Sequence, residues 1–164
     1  MDVRKVYEYA LQREREGKRF YEHNAGRFSH AAVVEAFQRL AGEEDQHICF
    51  IQSLLERLDN ADQAGLEAGE ALQGEGFFSQ RAAEALLDQT IIESMVPDLS
   101  VLRTAFLIER DFAEFYESAA QQVEDETARQ ALQMLAEWER GHERLFEQMH
   151  DKAFEEYAGM PWGG

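Results

Sequence analysis

The strongest constraint on the fold of this 164-residue chain is an internal repeat displaced by 95 residues. The two copies align without a gap over the stretches that begin at Ala10 and Ala105, and again from Leu40 and Leu135. The polar and aromatic residues that recur at this displacement include Glu14 with Glu109, Tyr21 with Tyr116, Glu22 with Glu117, Glu44 with Glu139, and His47 with His142. A repeat of this kind indicates that the chain contains one structural unit twice.

Each copy has the pattern of two long amphipathic helices. Apolar residues recur at helical spacing over about 2–27 and 30–58 in the first copy, and from about 98 and over about 125–157 in the second. Asp2 and either Asp98 or Ser100 are suitable N-caps, and the only two prolines are Pro97 and Pro161. Because a short turn joins the helices of each copy, we expect two antiparallel hairpins, at about 2–58 and 98–157.

A segment of about 59–97 connects the hairpins. Its second part, Ser79–Met95, is amphipathic enough to form a short helix. A helix of about 29 residues spans about 43 Å, so the connection is long enough to return along the bundle. The sequence therefore predicts one all-α domain over residues 1–164, a four-helix bundle with a single long crossover and a flexible tail at 158–164.

The repeated polar residues have the spacing of metal ligands. Glu44 and His47, like Glu139 and His142, stand at i and i+3 and leave one face of a helix. Glu occupies 24 of 164 positions, so one such pair would be weak evidence, but two in register are not. One Glu from each of two helices and Glu-x-x-His from each of the others is the ligand set of di-iron carboxylate bundles. The predicted metal ligands are Glu14, Glu44, His47, Glu109, Glu139 and His142, and the alternative is a degenerate bundle that has lost its metal.

At these residues the sequence resembles the rubrerythrin-type branch of the ferritin-like superfamily, and the resemblance covers both hairpins. It is closest in Glu14–Tyr21 and Glu109–Tyr116. The resemblance implies a pair of iron ions, for which manganese or zinc could substitute. It also implies that Glu44 and Glu139 bridge the ions, that Glu14 and Glu109 are terminal ligands, and that each histidine binds one ion.

Three departures from that branch limit what the resemblance implies. Rubrerythrins proper have a four-cysteine rubredoxin domain, whereas this chain has only Cys49, so we expect a separate electron donor such as a rubredoxin-like protein. They also have an extra Glu one turn after the third-helix ligand, where this chain has Phe112. Bacterioferritins place a haem-binding Met where this chain has Asp45, so we expect no haem.

The helical positions of residues near the predicted ligands indicate which of them face the ligands and which face solvent. Tyr21 and Tyr116 follow Glu14 and Glu109 by two turns, so we expect each to donate its hydroxyl to a ligand carboxylate; the alternative is that both are core aromatics with a hydrogen bond elsewhere. Three other acids lie at different angles, and we expect them to face solvent: Glu16, Glu43 and Glu137. Cys49 is expected to pack as a small apolar residue. Glu93, in the crossover, has no assigned role.

Composition limits the partners of the chain. The formal net charge is −17, which disfavours nucleic-acid binding. No stretch approaches the roughly 20 apolar residues of a membrane span, and the N-terminus lacks an apolar run, so we expect a cytoplasmic protein. We expect a homodimer or small homo-oligomer, and the sequence leaves open whether hairpins are exchanged between chains.

The leading functional hypothesis is a non-haem di-iron oxidoreductase, of peroxidase or ferroxidase type. It would reduce hydrogen peroxide or dioxygen or oxidise Fe(II), with no catalytic residue apart from the metal ligands. Two alternatives stay open at this point. One is iron storage of the ferritin or bacterioferritin kind, and the other is a non-catalytic protein that binds or delivers iron.

Overall fold

The computed structural model describes residues 1–28, 30–60 and 96–161. Within these ranges the chain is almost entirely helical and has no strand. The described ranges contain four α-helices: α1, Val3–Ala25; α2, Ala31–Asn60; α3, Leu99–Gln122; and α4, Glu126–Gly159. A 3-10 helix, Val96–Asp98, precedes α3. The predicted all-α fold is confirmed, and the helices end close to the predicted positions.

The predicted N-cap of α1 forms the expected hydrogen bond, and Asp125 caps α4 in the same way. The carboxylate of Asp2 accepts from the backbone N–H of Lys5 at 3.3 Å, and that of Asp125 accepts from Ala128 at 2.7 Å. Each bond satisfies a backbone donor that the helix itself leaves unpaired. Asp98 also stands at an N-cap, but its side chain caps nothing and lies 3.7 Å from the guanidinium of Arg27 instead.

The helices pack as two hairpins, α1 with α2 and α3 with α4. Their apolar faces form two clusters at opposite ends of the bundle. The first cluster joins the end of α1 to the start of α3, and includes Tyr21, Phe37, Leu102 and Phe146. The second joins the start of α1 to the end of α3, and includes Val6, Ile51, Tyr116, Leu132 and Trp138. The six predicted metal ligands belong to the helical segments between these clusters.

The ends of the hairpins agree with a single long crossover. Leu54, near the end of α2, belongs to the second cluster, whereas Val101, near the start of α3, belongs to the first. The predicted crossover helix at 79–95 lies outside the described residues. The predicted tail begins later than expected, because α4 continues to Gly159. None of the described helices is both long enough and apolar enough to cross a membrane.

Candidate metal centre

The structure brings the six predicted ligands together in the interior of the bundle. The four carboxylates are fully buried, and the two imidazole side chains are 2% exposed. Each residue lies near the middle of its helix, on the face that points towards the other three helices. Charged side chains are almost never fully buried unless they are paired or bind a metal.

The side chains form two overlapping groups. In the first, one ligand atom from each of Glu14, Glu44, His47 and Glu139 lies within 4.8 Å of all the others. The second group has the same compactness and consists of Glu44, Glu109, Glu139 and His142. Glu44 and Glu139 belong to both groups. Two adjacent cation positions with two shared carboxylates and one separate Glu and His each would account for this arrangement.

The two imidazole rings present the same nitrogen to the carboxylates. Nδ1 of His47 lies 3.1 Å from Glu14, 3.3 Å from Glu44 and 3.0 Å from Glu139. Nδ1 of His142 has three corresponding neighbours at 3.3–3.7 Å: Glu139, Glu109 and Glu44. The rings lie 19° from parallel, with centroids 5.8 Å apart. Nδ1 is therefore the atom that each ring would offer to a cation.

Three of the four carboxylates of the cluster lack the hydrogen-bond donors that buried carboxylates require. Both oxygens of Glu44, Glu109 and Glu139 are buried and accept no hydrogen bond of good geometry from the described residues. Buried polar atoms are nearly always satisfied, and each exception needs an explanation. The oxygens and imidazole nitrogens are the ligands preferred by iron and manganese. Divalent cations therefore fit this donor set.

The pKa values of the cluster residues show that the metal-free cluster does not readily hold four ionised carboxylates. Burial, reinforced by the charge of Glu139, raises the pKa of Glu14 and Glu109 well above the ordinary value. Burial also opposes ionisation of Glu139, but the charges and hydrogen bonds of His47 and His142 together outweigh burial and hold the pKa of Glu139 well below its usual range.

For both histidines burial alone would lower the pKa. The neighbouring carboxylates outweigh this effect and raise the pKa well above the usual value, Glu139 chiefly for His47 and Glu109 chiefly for His142. Protons therefore take the place of cations in neutralising the metal-free cluster.

The two repeated tyrosines differ in their contacts. The hydroxyl of Tyr116 donates a hydrogen bond to Oε1 of Glu14, a member of the first group. The hydroxyl of Tyr21 is buried and has no hydrogen-bond partner among the described residues, so the expected bond to a carboxylate of the cluster is absent there. The ring of Tyr21 stacks instead on Phe146, with centroids 5.7 Å apart and planes 7° from parallel. For Tyr21 the core-aromatic alternative describes the structure.

Phe112 fills the place where the resembled family has an extra Glu. A Cβ added to Gly17 would lie 3.1 Å from Cε2 of Phe112 and 3.7 Å from Cδ of Glu44. The missing side chain at position 17 thus leaves room for the Phe112 ring beside the cluster. The guanidinium carbon of Arg13 lies 5.0 Å from the centre of that ring. Among the described residues, this side of the cluster therefore has an apolar wall and no further candidate ligand.

Two of the expectations for nearby residues were wrong. Glu43 does not face solvent: its side chain is 13% exposed, and its Oε2 lies 2.9 Å from Nε2 of His142. Cys49, expected to pack in the interior, is exposed. Glu137 is exposed as predicted. The side chain of Glu43 points towards α4 rather than towards a helix of its own hairpin. This contact becomes apparent only once the two hairpins are packed together.

The observations define a ferritin-like four-helix protein with a buried carboxylate and histidine cluster suited to metal. Comparison with protein families is more specific. The rubrerythrin family model matches residues 5–150, which include both hairpins, and the chain belongs to the rubrerythrin family. No curated protein and no solved structure matches the chain significantly.

Proposed function

We propose that this protein is a di-iron oxidoreductase that reduces hydrogen peroxide or dioxygen at a pair of iron ions held by the six buried ligands. The observation that carries the proposal is the overlap of the two ligand groups. A single structural cation would need one group, whereas two groups that share Glu44 and Glu139 suit a bridged pair. A pair of ions can transfer two electrons to one oxidant molecule.

The charge of the cluster supports two divalent ions. Four carboxylates and two neutral imidazoles carry a formal charge of −4, which two divalent cations neutralise. Glu14 with Nδ1 of His47 would hold one ion, Glu109 with Nδ1 of His142 would hold the other, and Glu44 and Glu139 would be available to both. Bound iron would supply Lewis acidity and, on oxidation of both Fe(II) ions to Fe(III), the two electrons that convert peroxide and two protons to two waters.

The protein's own residues would orient the ligands and exclude bulk water. Tyr116 fixes one oxygen of Glu14, and the ring of Phe112 closes the side next to Gly17. Electrons for repeated turnover would come from a separate protein, and a rubredoxin-like protein is the donor we propose. These residues provide positioning, while the redox chemistry belongs to the metal.

Stopped-flow mixing tests the proposal. The metal-free protein is loaded anaerobically with Fe(II) and mixed separately with hydrogen peroxide and with air-saturated buffer, while near-ultraviolet absorbance records ferric formation. We expect fast oxidation by at least one oxidant, and loss of that phase in a Glu44→Ala, Glu139→Ala variant. Equal inertness of the loaded parent towards both oxidants would refute the oxidoreductase and favour a binding or delivery protein.

Iron storage makes a different prediction for the same sample. A storage protein would retain many iron ions per chain as a mineral and would elute as a large shell in size exclusion. The proposed oxidoreductase would retain about two ions per chain and elute as a dimer or small oligomer. The two measurements together distinguish storage from catalysis.

A further inference from the structure

Glu43 contacts the candidate metal centre without belonging to either ligand group. It precedes the shared ligand Glu44 on α2, and its Oε2 lies 2.9 Å from Nε2 of His142 on α4. The side chain crosses from one hairpin to the other and is only 13% exposed. The role of this contact rests on the proposed metal pair.

The contact uses the ring nitrogen of His142 that the cluster does not use. Nδ1 of the ring faces Glu139 at 3.3 Å and Glu109 at 3.4 Å. In a neutral imidazole one nitrogen carries the proton and the other has the free lone pair. A carboxylate at Nε2 keeps the proton there, so that Nδ1 presents its lone pair to the cluster. The hydrogen bond therefore selects both the tautomer and the orientation required of a ligand.

The equivalent position of the other copy has diverged. Displacement by 95 residues takes Glu43 to Trp138, which precedes the shared ligand Glu139. Trp138 stacks on His47, with ring centroids 5.0 Å apart and planes 18° from parallel. An indole N–H can donate but cannot accept, so Trp138 cannot do for His47 what Glu43 does for His142. The duplicated centre is thus supported by a carboxylate at one histidine and by an aromatic face at the other.

We propose that Glu43 is a positioning residue for one metal position only, the position formed by Glu109, His142 and the two shared carboxylates. Loss of a partner that orients a metal-binding histidine typically lowers metal affinity by about 10–100-fold. We expect a loss of this size at the His142 position and little change at the His47 position. A simple tie between α2 and α4 would instead affect both positions alike.

Variants that retain a single position allow the two to be measured separately. Glu14→Ala removes a ligand found only in the first group and leaves the His142 position, whereas Glu109→Ala leaves the His47 position. Each background is prepared with and without Glu43→Ala, freed of metal, and titrated with Co²⁺ by calorimetry and visible absorption. Glu35→Ala, which removes an exposed carboxylate from the same helix, controls for the loss of charge.

We expect Glu43→Ala to weaken Co²⁺ binding about 10–100-fold in the Glu14→Ala background and less than about twofold in the Glu109→Ala background. Glu43→Gln, which keeps an acceptor for the ring N–H, should recover part of the loss. The cobalt absorption bands of the His142 position should also shift. Thermal melting of each metal-free variant shows whether the fold itself has changed.

Equal losses in the two backgrounds, or no loss in the Glu14→Ala background, would overturn the positioning role. A parent protein that binds no Co²⁺ would overturn both this inference and the proposed function. A parent that binds two ions, responds to Glu43→Ala as expected, and yet is inert to both oxidants would refute only the oxidoreductase. The two proposals can therefore fail separately.

Discussion

Replacing Glu109 with leucine should change stability in opposite directions with and without metal. Glu109 is fully buried, both of its oxygens lack hydrogen bonds among the described residues, and burial raises its pKa. An unsatisfied buried polar group costs about 1–3 kcal/mol, and an apolar replacement of similar size usually costs less than about 1.5 kcal/mol. The metal-free Glu109→Leu variant should therefore be more stable than the parent by about 1–2 kcal/mol.

The metal-bound proteins should show the reverse order. A ligand present at about 100 times its dissociation constant stabilises the folded state by about 2.7 kcal/mol per site. The variant lacks the terminal carboxylate of the His142 position and should lose most of the stabilisation that this ion provides. It should consequently unfold below the parent when both are saturated with Fe²⁺.

Thermal unfolding in chelator and in anaerobic Fe²⁺ measures both differences. For a domain of this size about 1 kcal/mol corresponds to about 2–4 °C in Tm, so the inversion is easily resolved. Glu114→Leu, which removes an exposed carboxylate from the same helix, should change Tm by little in either condition. If Glu109→Leu lowered Tm by several degrees in chelator as well, Glu109 would be a structural residue and the metal argument would fail.

Three further predictions follow from the site. Tyr116→Phe leaves a buried oxygen of Glu14 without its donor and should destabilise the metal-free protein by about 1.5–3 kcal/mol in urea unfolding. Tyr21→Phe removes a hydroxyl that has no hydrogen bond among the described residues and should cost about 0.5 kcal/mol or less. Equal costs would contradict the different contacts assigned to the two tyrosines. Metal binding should release about two to four protons, because four ligands have a raised pKa, and calorimetry in buffers of different ionisation enthalpy should find affinity falling as pH falls. Above the ordinary pKa of these four groups, the folded metal-free protein binds more protons than the unfolded chain. The stability of the metal-free protein should therefore fall as pH rises from about 5 to 8. A Tm that stays flat or rises across this range would refute the raised pKa values.

Much of the architecture could be predicted because it depends on periodic patterns. The apolar stripes of four helices and the cap at Asp2 are local signals, and the displacement of 95 residues fixes which positions are equivalent. The burial of Glu44 with His47, and of Glu139 with His142, follows from spacing on a helix already known to face the bundle. These features required no knowledge of how the hairpins meet.

The features that escaped prediction depend on contacts between the hairpins. Duplication implied that Tyr21 and Tyr116 would behave alike, but only Tyr116 reaches a ligand, because the first cluster packs Tyr21 against Phe146. The geometry of α2 alone predicts that Glu43 faces solvent, because one helix does not reveal the neighbour of Glu43 on α4. Equivalent positions in a duplicated chain share a backbone environment, not necessarily their side-chain partners.

Metal content after anaerobic purification tests the whole account most directly. Inductively coupled plasma analysis should find about two equivalents of iron, or of manganese in its place, per chain of the parent. It should find little in the Glu44→Ala, Glu139→Ala variant, which lacks both shared carboxylates. A folded parent that contains no transition metal and takes up none on incubation with Fe²⁺ would contradict the account, because the buried carboxylates would then have no cation to neutralise them.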